Sequence, residues 1–232
     1  MIRPLGDRAL VVTLGSAIAP SVYSRVQRSL GQLRAASLAG VTDIVPAFAS
    51  IVLHYDPARV AGARGEAPYD ALAAAVEECL RLAVASPEVA TRLVEIPVCY
   101  GGALGPDLDR LAAGHGMSPE AVIRLHCERE YLVYMLGFLP GFAYLGGLAP
   151  ELVTPRRSEP RAHVPAGAVG IGGEQTGVYP LDSPGGWHLV GRTPARMFRP
   201  DQDPPTLLAM GDRVRFLRIT EAQFNELESQ SR

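Results

Sequence analysis

The stretch from Glu130 to Glu221 constrains the fold most, because glycine and proline interrupt its short apolar runs and no helical periodicity lasts for more than a turn. Short apolar segments bounded by Gly and Pro are typical of strands and turns. The pattern therefore predicts a β-barrel or a β-sandwich for this part of the chain. Beyond it, the polar tail from Thr220 to Arg232 is expected to add no more than a last turn of helix.

Residues 1–90 show a different pattern, in which apolar strands alternate with amphipathic helices. The predicted order is strand, helix, strand, strand, helix, over Ala9 to Leu14, Pro20 to Gly40, Thr42 to Phe48, Ser50 to Tyr55, and Pro68 to Ser86-Pro87. This order fits a small ferredoxin-like domain with helices on one face of an antiparallel sheet. We therefore predict an α+β protein with two domains, residues 1–90 and 91–232.

The second domain is expected to begin with a strand and two helices. Arg92 to Tyr100 is apolar and β-branched enough for a strand, and Asp107 to Ala113 predicts a short helix. Ser118, Pro119 and Glu120 form a strong start signal for the next helix, because Ser caps the helix, Pro suits its first position and an acid favours the positive end of the dipole. That helix is expected to run to about Glu130.

Composition excludes several classes of function. The net charge of −2 argues against nucleic acid as a partner, because such binding depends on clustered basic residues. All 22 basic residues are arginine, so Schiff-base chemistry, a P-loop lysine and biotin attachment are excluded on this chain. The three cysteines suggest no disulfide framework. No apolar run approaches the length of a membrane span, so we predict no membrane contact and a cytoplasmic location.

The histidines do not predict a metal site. They stand at positions 54, 115, 126, 163 and 188, without HxH or HExxH spacing and without a carboxylate cluster beside them. We therefore predict no structural metal.

Four segments between Tyr134 and Pro194 combine glycine, proline, aromatic and polar residues. They are MLGFLPGFAYL from Met135, TPRR from Thr154, VPAGAVGIGGEQTGVYP from Val164 and SPGGWHLVGRTP from Ser183. Glycine lets the backbone turn sharply and approach a ligand closely. No GxGxxG and no P-loop occurs, so neither a Rossmann nor a Walker site is predicted.

In this order, the four segments resemble the family that includes the subunit-B component of 5-oxoprolinase (PxpB), KipI and allophanate hydrolase subunit 1. The DRAL start at Asp7 resembles the first strand of that family, so the resemblance covers nearly the whole chain. It implies a cyclophilin-like β-barrel as the second domain, related to half of the carboxyltransferase region of urea carboxylase.

The same resemblance implies a function that needs partners. Family members pair with a subunit-C or KipA-like protein, and a third component completes 5-oxoprolinase. The implied reaction is the ATP-dependent opening of 5-oxo-L-proline to L-glutamate, with Mg accompanying ATP and no biotin on this chain. Two other functions stay open: a KipI-like inhibitor of a sensor histidine kinase, and a component related to allophanate hydrolase or urea carboxylase.

Opening a lactam requires donors for phosphoryl oxygens and for the substrate carboxylate, and arginine and backbone N–H groups supply them in rigid geometry. The residues expected to act in catalysis are polar: Gln175, Tyr179, His188 and Arg192. Those expected to bind phosphate or substrate are Arg156, Gly167, Gly170, Gly172 and Gly173. The aromatic loop comprises Phe138, Pro140, Gly141 and Phe142, and forms either a substrate wall or a docking surface.

Each of these assignments has a structural alternative. The glycines serve equally well to make the tight turns of a barrel, and Gln175 to tie a loop to its own backbone. His188 and Tyr179 have packing roles as alternatives. Arg156, with Arg157 and Arg161, has the alternative of a solvated basic rim at a partner interface.

Overall fold

The computed structural model describes residues 1–62, 65–82 and 91–230. The chain folds into two compact units, Met1–Val89 and Ala90–Arg232. The first contains a four-stranded sheet with helices, and the second contains a closed seven-stranded barrel. The predicted α+β class is therefore confirmed, and of the two alternatives for the second half the barrel is correct.

In its described residues, 1–62 and 65–82, the first unit has four strands and two helices. They are β1 (Ile2–Pro4), β2 (Ala9–Thr13), α1 (Pro20–Ala36), β3 (Val41–Pro46), β4 (Ser50–Tyr55) and α2 (Pro68–Arg81), with a 3-10 turn at Pro57–Arg59. All neighbours in the sheet are antiparallel, in the order β1-β2-β4-β3. β4 therefore lies between β2 and β3, which α1 connects, as in a split βαβ arrangement.

Two features of this unit differ from the prediction. β1 was not predicted; it pairs with β2 and occupies the edge of the sheet. α1 is shorter than predicted and ends at Ala36, because Ser37 adopts a left-handed conformation, with φ of 45°, and its N–H bonds to the carbonyl of Arg34. The predicted end of α2 at Ser86-Pro87 lies outside the described residues.

Between residues 91 and 230, the second unit contains nine strands and three helices. They are β5 (Leu93–Tyr100), α3 (Leu108–Gly114), α4 (Pro119–Cys127), β6 (Glu130–Leu136), β7 (Ala143–Gly146), β8 (Arg161–Val164), β9 (Ala168–Gly172), β10 (Gln175–Val178), β11 (Ser183–Gly185), β12 (His188–Arg192), β13 (Arg213–Arg218) and α5 (Glu221–Gln230). A 3-10 turn covers Pro150–Leu152. The barrel order is β10-β7-β6-β13-β5-β12-β9, closed by the β9–β10 pair, and β8 and β11 form a separate two-stranded sheet.

The helix signals in this unit are largely correct. The Ser118 hydroxyl accepts a hydrogen bond from the N–H of Ala121 at 3.2 Å, and Pro119 is the first helical residue. α4 ends at Cys127, earlier than predicted, because Glu130 already begins β6. α5 is a helix of 10 residues, longer than the single turn expected, and it buries Phe224.

A histidine lies in the interior of the barrel, fully buried among apolar side chains. His126 Nε2 lies 2.9 Å from Oγ1 of Thr176, whose hydroxyl donates to the Gly170 carbonyl, so Nε2 carries the proton. Its Nδ1 accepts from the Tyr100 hydroxyl at 2.7 Å, and its ring stacks on Phe216 with centroids 4.5 Å apart. Burial lowers the pKa of His126 to about 3, so the ring is neutral.

No helix in the described part of the chain is long and apolar enough to cross a bilayer.

Candidate functional site

An aromatic cavity of about 280 Å³ opens beside β7 and β11. Its lining is mostly aromatic and glycine-rich, with two arginines: Phe138, Phe142, Tyr144, Arg156, Arg157, Pro160, Tyr179, Pro184, Gly185, Gly186 and Trp187. Phe142, Tyr179 and Trp187 are buried and pack in edge-to-face contacts. We call this the aromatic cavity.

Glycines of β9 and β10 make room for the Trp187 ring. A Cβ on Gly172 would lie 2.6 Å from Cδ1 of Trp187, and a Cβ on Gly170 would lie 3.0 Å from Cβ of Trp187. A Cβ on Gly177 would lie 2.9 Å from the Ala143 carbonyl oxygen. Because Gly170 and Gly172 are buried under this ring, the geometry favours their packing role over phosphate binding, and we leave them out of the proposed site.

Gly172→Ala is expected to lower the free energy of unfolding by about 2 kcal/mol, because the added methyl overlaps the rigid indole. Chemical denaturation monitored by circular dichroism measures this change. Gly114→Ala is the matched control, since a Cβ there meets nothing within 4 Å at the end of α3. An equal loss in both variants, or none in Gly172→Ala, would contradict the packing role.

The aromatic loop forms a tight turn at the mouth of the cavity. The Gly137 N–H donates to the Phe142 carbonyl, and Phe138 has a positive φ of 71°, which is uncommon for a non-glycine residue. Phe138 is 61% exposed, whereas Phe142 is buried, and their rings meet edge to face at 5.6 Å. Pro140 is exposed and Gly141 has a φ of 82°. The loop thus presents one ring outward and one inward.

Arg156 is placed differently from its neighbours. Its guanidinium carbon lies 5.9 Å from the centroid of Trp187, over the ring. Its side chain is exposed, and within residues 1–62, 65–82 and 91–230 it forms no ion pair. Arg156 is therefore available to an anionic ligand in the aromatic cavity.

Arg157 and Arg161 do not form a solvated rim. Both contact the buried carboxylate of Asp107, at 3.3 Å and 2.8 Å, and each side chain is only about one-quarter exposed. Arg110 lies 3.3 Å from the same carboxylate. The predicted alternative of a basic surface is wrong for these two residues, because an internal carboxylate binds them.

Tyr179 points its hydroxyl toward the end of β11 at Gly185, where a Cβ would lie 2.5 Å from the phenol oxygen. Burial raises the pKa of Tyr179, although a hydrogen bond from the Trp187 backbone and the charge of Arg156 act to lower it. The phenol is therefore protonated at neutral pH. It can donate a hydrogen bond but not act as a base.

His188 lies outside the aromatic cavity. It lines a cavity of about 200 Å³ with Arg110, His115, Thr154 and Pro155, among others. Its Nε2 donates to the Pro155 carbonyl at 2.9 Å, and its Nδ1 then accepts from Arg110 at 3.4 Å. Both ring nitrogens are engaged, so the catalytic role expected for His188 stays a prediction.

Arg192 and Gly167 line a third cavity, of about 360 Å³. Arg192 donates to the Ala166 carbonyl at 2.9 Å, lies 5.8 Å from the Phe224 ring centroid, and lies 3.8 Å from Glu228. Gly167 has a φ of 81°, and a Cβ there would lie 2.3 Å from the Thr193 carbonyl oxygen. This close backbone approach accounts for the glycine.

Two further predicted residues lie at the hairpin between β9 and β10. Gly173 has a φ of 63° at the first position of a two-residue turn, which glycine suits. Gln175 is buried, and its amide nitrogen has no hydrogen-bond partner among the described residues. It does not line any of the three cavities. Seven of the predicted residues line these cavities: Phe138, Phe142, Arg156 and Tyr179 the aromatic cavity, His188 the second, and Gly167 and Arg192 the third.

Among the residues that shape the site but were not predicted from the sequence are Asp107 and Trp187, which forms the floor of the cavity. Asp107 carried only the weak signal of an acid before a helix, and two of the arginines that it binds, Arg157 and Arg161, are remote in sequence. No group of three or more His, Cys, Asp or Glu within the described ranges is arranged to hold a metal ion.

Comparison with known proteins found clear relatives. Residues 1–208 match the family model of the carboxyltransferase domain, subdomain C and D. The chain is 43% identical over 233 residues to the subunit-B component of 5-oxoprolinase from Bacillus subtilis strain 168, a match that covers 99% of this chain and 97% of that protein.

Solved structures with a similar fold also match this chain. The crystal structure of TTHA0988 matches with a TM-score of 0.76 and 38% identity over 91% of this chain, although the match spans only 40% of that longer chain. The urea amidolyase of K. lactis matches with a TM-score of 0.81 over 99% of this chain and 15% of its own. Its 20% identity shows a common fold alone.

Proposed function

This chain belongs to the carboxyltransferase domain family, subdomain C and D, and we propose that it is a subunit of an ATP-dependent 5-oxoprolinase that opens 5-oxo-L-proline to L-glutamate. The observation that carries the proposal is the 43% identity to a subunit-B component of 5-oxoprolinase over nearly the full length of both chains. Relatives named for urea chemistry are more distant, at 24% identity.

The aromatic cavity suits such a substrate. 5-Oxoproline has a small planar lactam ring and one carboxylate, so it needs an apolar wall, a cation and a hydrogen-bond donor. Trp187 and Phe142 supply the wall, and Arg156 supplies the uncommitted guanidinium at its edge. We assign Arg156 to the substrate carboxylate.

Tyr179 is assigned to the lactam. Its protonated phenol can donate a hydrogen bond to the carbonyl oxygen of the bound lactam and so orient the ring. ATP makes the reaction favourable in the complex by transferring its terminal phosphoryl group to that oxygen, which releases ADP, with Mg held mainly by phosphate oxygens. Water then attacks the ring carbon and the C–N bond breaks, and a second water hydrolyses the acyl phosphate to glutamate and phosphate. Arg192 and His188, at the other two cavities, remain candidates for contacts with phosphate or partner rather than for this lactam contact.

The loop from Phe138 to Phe142 is assigned to the partner. An aromatic side chain that is 61% exposed at a strained backbone position suits a protein contact. We assign this contact to a subunit-C-like protein, and expect the chain alone to be inactive. The same exposed ring suits a kinase-binding inhibitor, the second candidate, which predicts capture of a histidine-kinase dimerisation domain instead.

Reconstitution tests the proposed function. The chain, a subunit-C-like protein, the third 5-oxoprolinase component, ATP and 5-oxoproline are combined, and glutamate and phosphate are measured. We expect both products only when every component is present. Equal glutamate formation without this chain, or none with all components supplied, would refute the proposal; binding to a kinase domain alone would favour the inhibitor.

A further inference from the structure

The carboxylate of Asp107 joins three separate segments of the second unit. Its Oδ2 accepts from the Leu189 N–H at 2.7 Å, and its Oδ1 accepts from Arg161 at 2.8 Å. Arg157 and Arg110 each donate to Oδ1 at 3.3 Å. With only 4% of its side chain exposed, Asp107 is a buried anchor.

These segments carry two walls of the aromatic cavity. Arg157 directly follows Arg156, and Leu189 stands two residues beyond Trp187. The walls are also joined directly, because the Arg157 N–H donates to the Gly186 carbonyl at 2.8 Å. A change at Asp107 therefore affects the position of both the guanidinium of Arg156 and the indole.

Charge makes this anchor necessary. Three guanidiniums surround one carboxylate, so without its negative charge Arg110, Arg157 and Arg161 repel each other. Arg161 already has one buried nitrogen, Nη1, with no hydrogen-bond partner among the described residues. Burial acts to raise the pKa of Asp107, but hydrogen bonds from Arg161 and the Leu189 backbone outweigh it and lower the pKa, so the group stays anionic.

We infer that Asp107 is a positioning residue that holds Arg156 over Trp187 and thereby sets the affinity of the aromatic cavity for a small carboxylated lactam. The identity of the ligand rests on the proposed function. The positioning itself does not, because it is a property of the chain alone.

Trp187 allows the positioning to be measured without activity, because it is the single tryptophan of the chain and is buried beneath Arg156. In the purified full chain, Asp107→Asn is expected to shift the emission to the red and to increase quenching by acrylamide. Arg156→Gln should change both in the same direction. Asp109→Asn is the matched control, since this exposed acid lies in the first turn of α3, two residues after Asp107, and it should leave both unchanged.

Kinetics of the reconstituted complex test whether the positioning of Arg156 by Asp107 affects substrate binding. Asp107→Asn is expected to raise KM for 5-oxoproline by about tenfold, with a smaller change in kcat, because a displaced Arg156 weakens binding of the carboxylate. A purely structural role would instead lower kcat, through fewer active molecules, and leave KM unchanged. Far-UV circular dichroism confirms that each variant is folded; if Asp107→Asn is not, Arg161→Gln tests the same anchor.

The outcomes separate this inference from the proposed function. Wild-type emission and quenching in folded Asp107→Asn would overturn the positioning role, whatever the activity. A higher KM in Arg156→Gln but not in Asp107→Asn would overturn it while supporting the proposed substrate contact. If the wild-type complex forms no glutamate, the proposed function fails and the fluorescence result still decides the role of Asp107.

Discussion

Arg156→Gln lowers kcat/KM of the reconstituted complex for 5-oxoproline by about 100-fold, or about 2.7 kcal/mol. The glutamine retains polarity but loses the charge that pairs with the substrate carboxylate. Among the described residues that line the cavity, the other arginine is Arg157, which already binds Asp107 and does not replace it. Steady-state glutamate formation measures the effect, which should appear mostly in KM.

Arg124→Gln is the control for this variant. Arg124 is exposed on α4, where it lies 3.8 Å from Glu128, and it does not line the aromatic cavity. Its replacement should leave kcat/KM unchanged. A normal KM in Arg156→Gln would show that the substrate carboxylate binds elsewhere.

Acid destabilises the second unit through His126. Its pKa is about 3 in the folded protein and about 6.5 in the unfolded chain, so below pH 6.5 the unfolded chain binds a proton that the folded protein does not. The free energy of unfolding is therefore close to its full value at pH 7, and it falls as the pH decreases through 6.5. We expect a loss of about 2 kcal/mol by pH 5 and about 4 kcal/mol by pH 3.

Urea denaturation at pH 7 and pH 5 measures this loss of stability. Both pH values lie above the range in which Asp107 and Asp182 take up protons, because the pKa values of these two carboxyls are lowered. His126→Gln removes the titrating ring and should lose most of the difference between the two pH values. Phe216→Leu disturbs the same stack and lowers stability, but should keep that difference. Equal pH dependence in His126→Gln and wild type would contradict the assignment.

The strand-rich character of the second unit was predictable because its signals are local, whereas the choice of a barrel over a sandwich came from the family resemblance. Glycine and proline punctuate the strands from β6 onward, and Ser118-Pro119 marks the start of α4 through a bond that spans three residues. The aromatic loop was predictable for the same reason. β1 was not, since Ile2–Pro4 is a strand only through its pairing with β2.

The site was predictable only in part because its contacts are remote in sequence. Asp107 binds Arg157, Arg161 and Leu189, which lie 50, 54 and 82 positions away. Glycines that were predicted to bind phosphate, such as Gly172, lie beneath Trp187 instead. Residue types indicated the chemistry, but only the barrel closure determines which of them share a cavity.

A crystal structure of the reconstituted complex with 5-oxoproline and a non-hydrolysable ATP analogue tests the central claim most directly. We expect the lactam ring against Trp187, its carboxylate within hydrogen-bonding distance of Arg156, and its carbonyl oxygen facing the Tyr179 hydroxyl. Substrate bound on another subunit, with the aromatic cavity unfilled, would contradict the account.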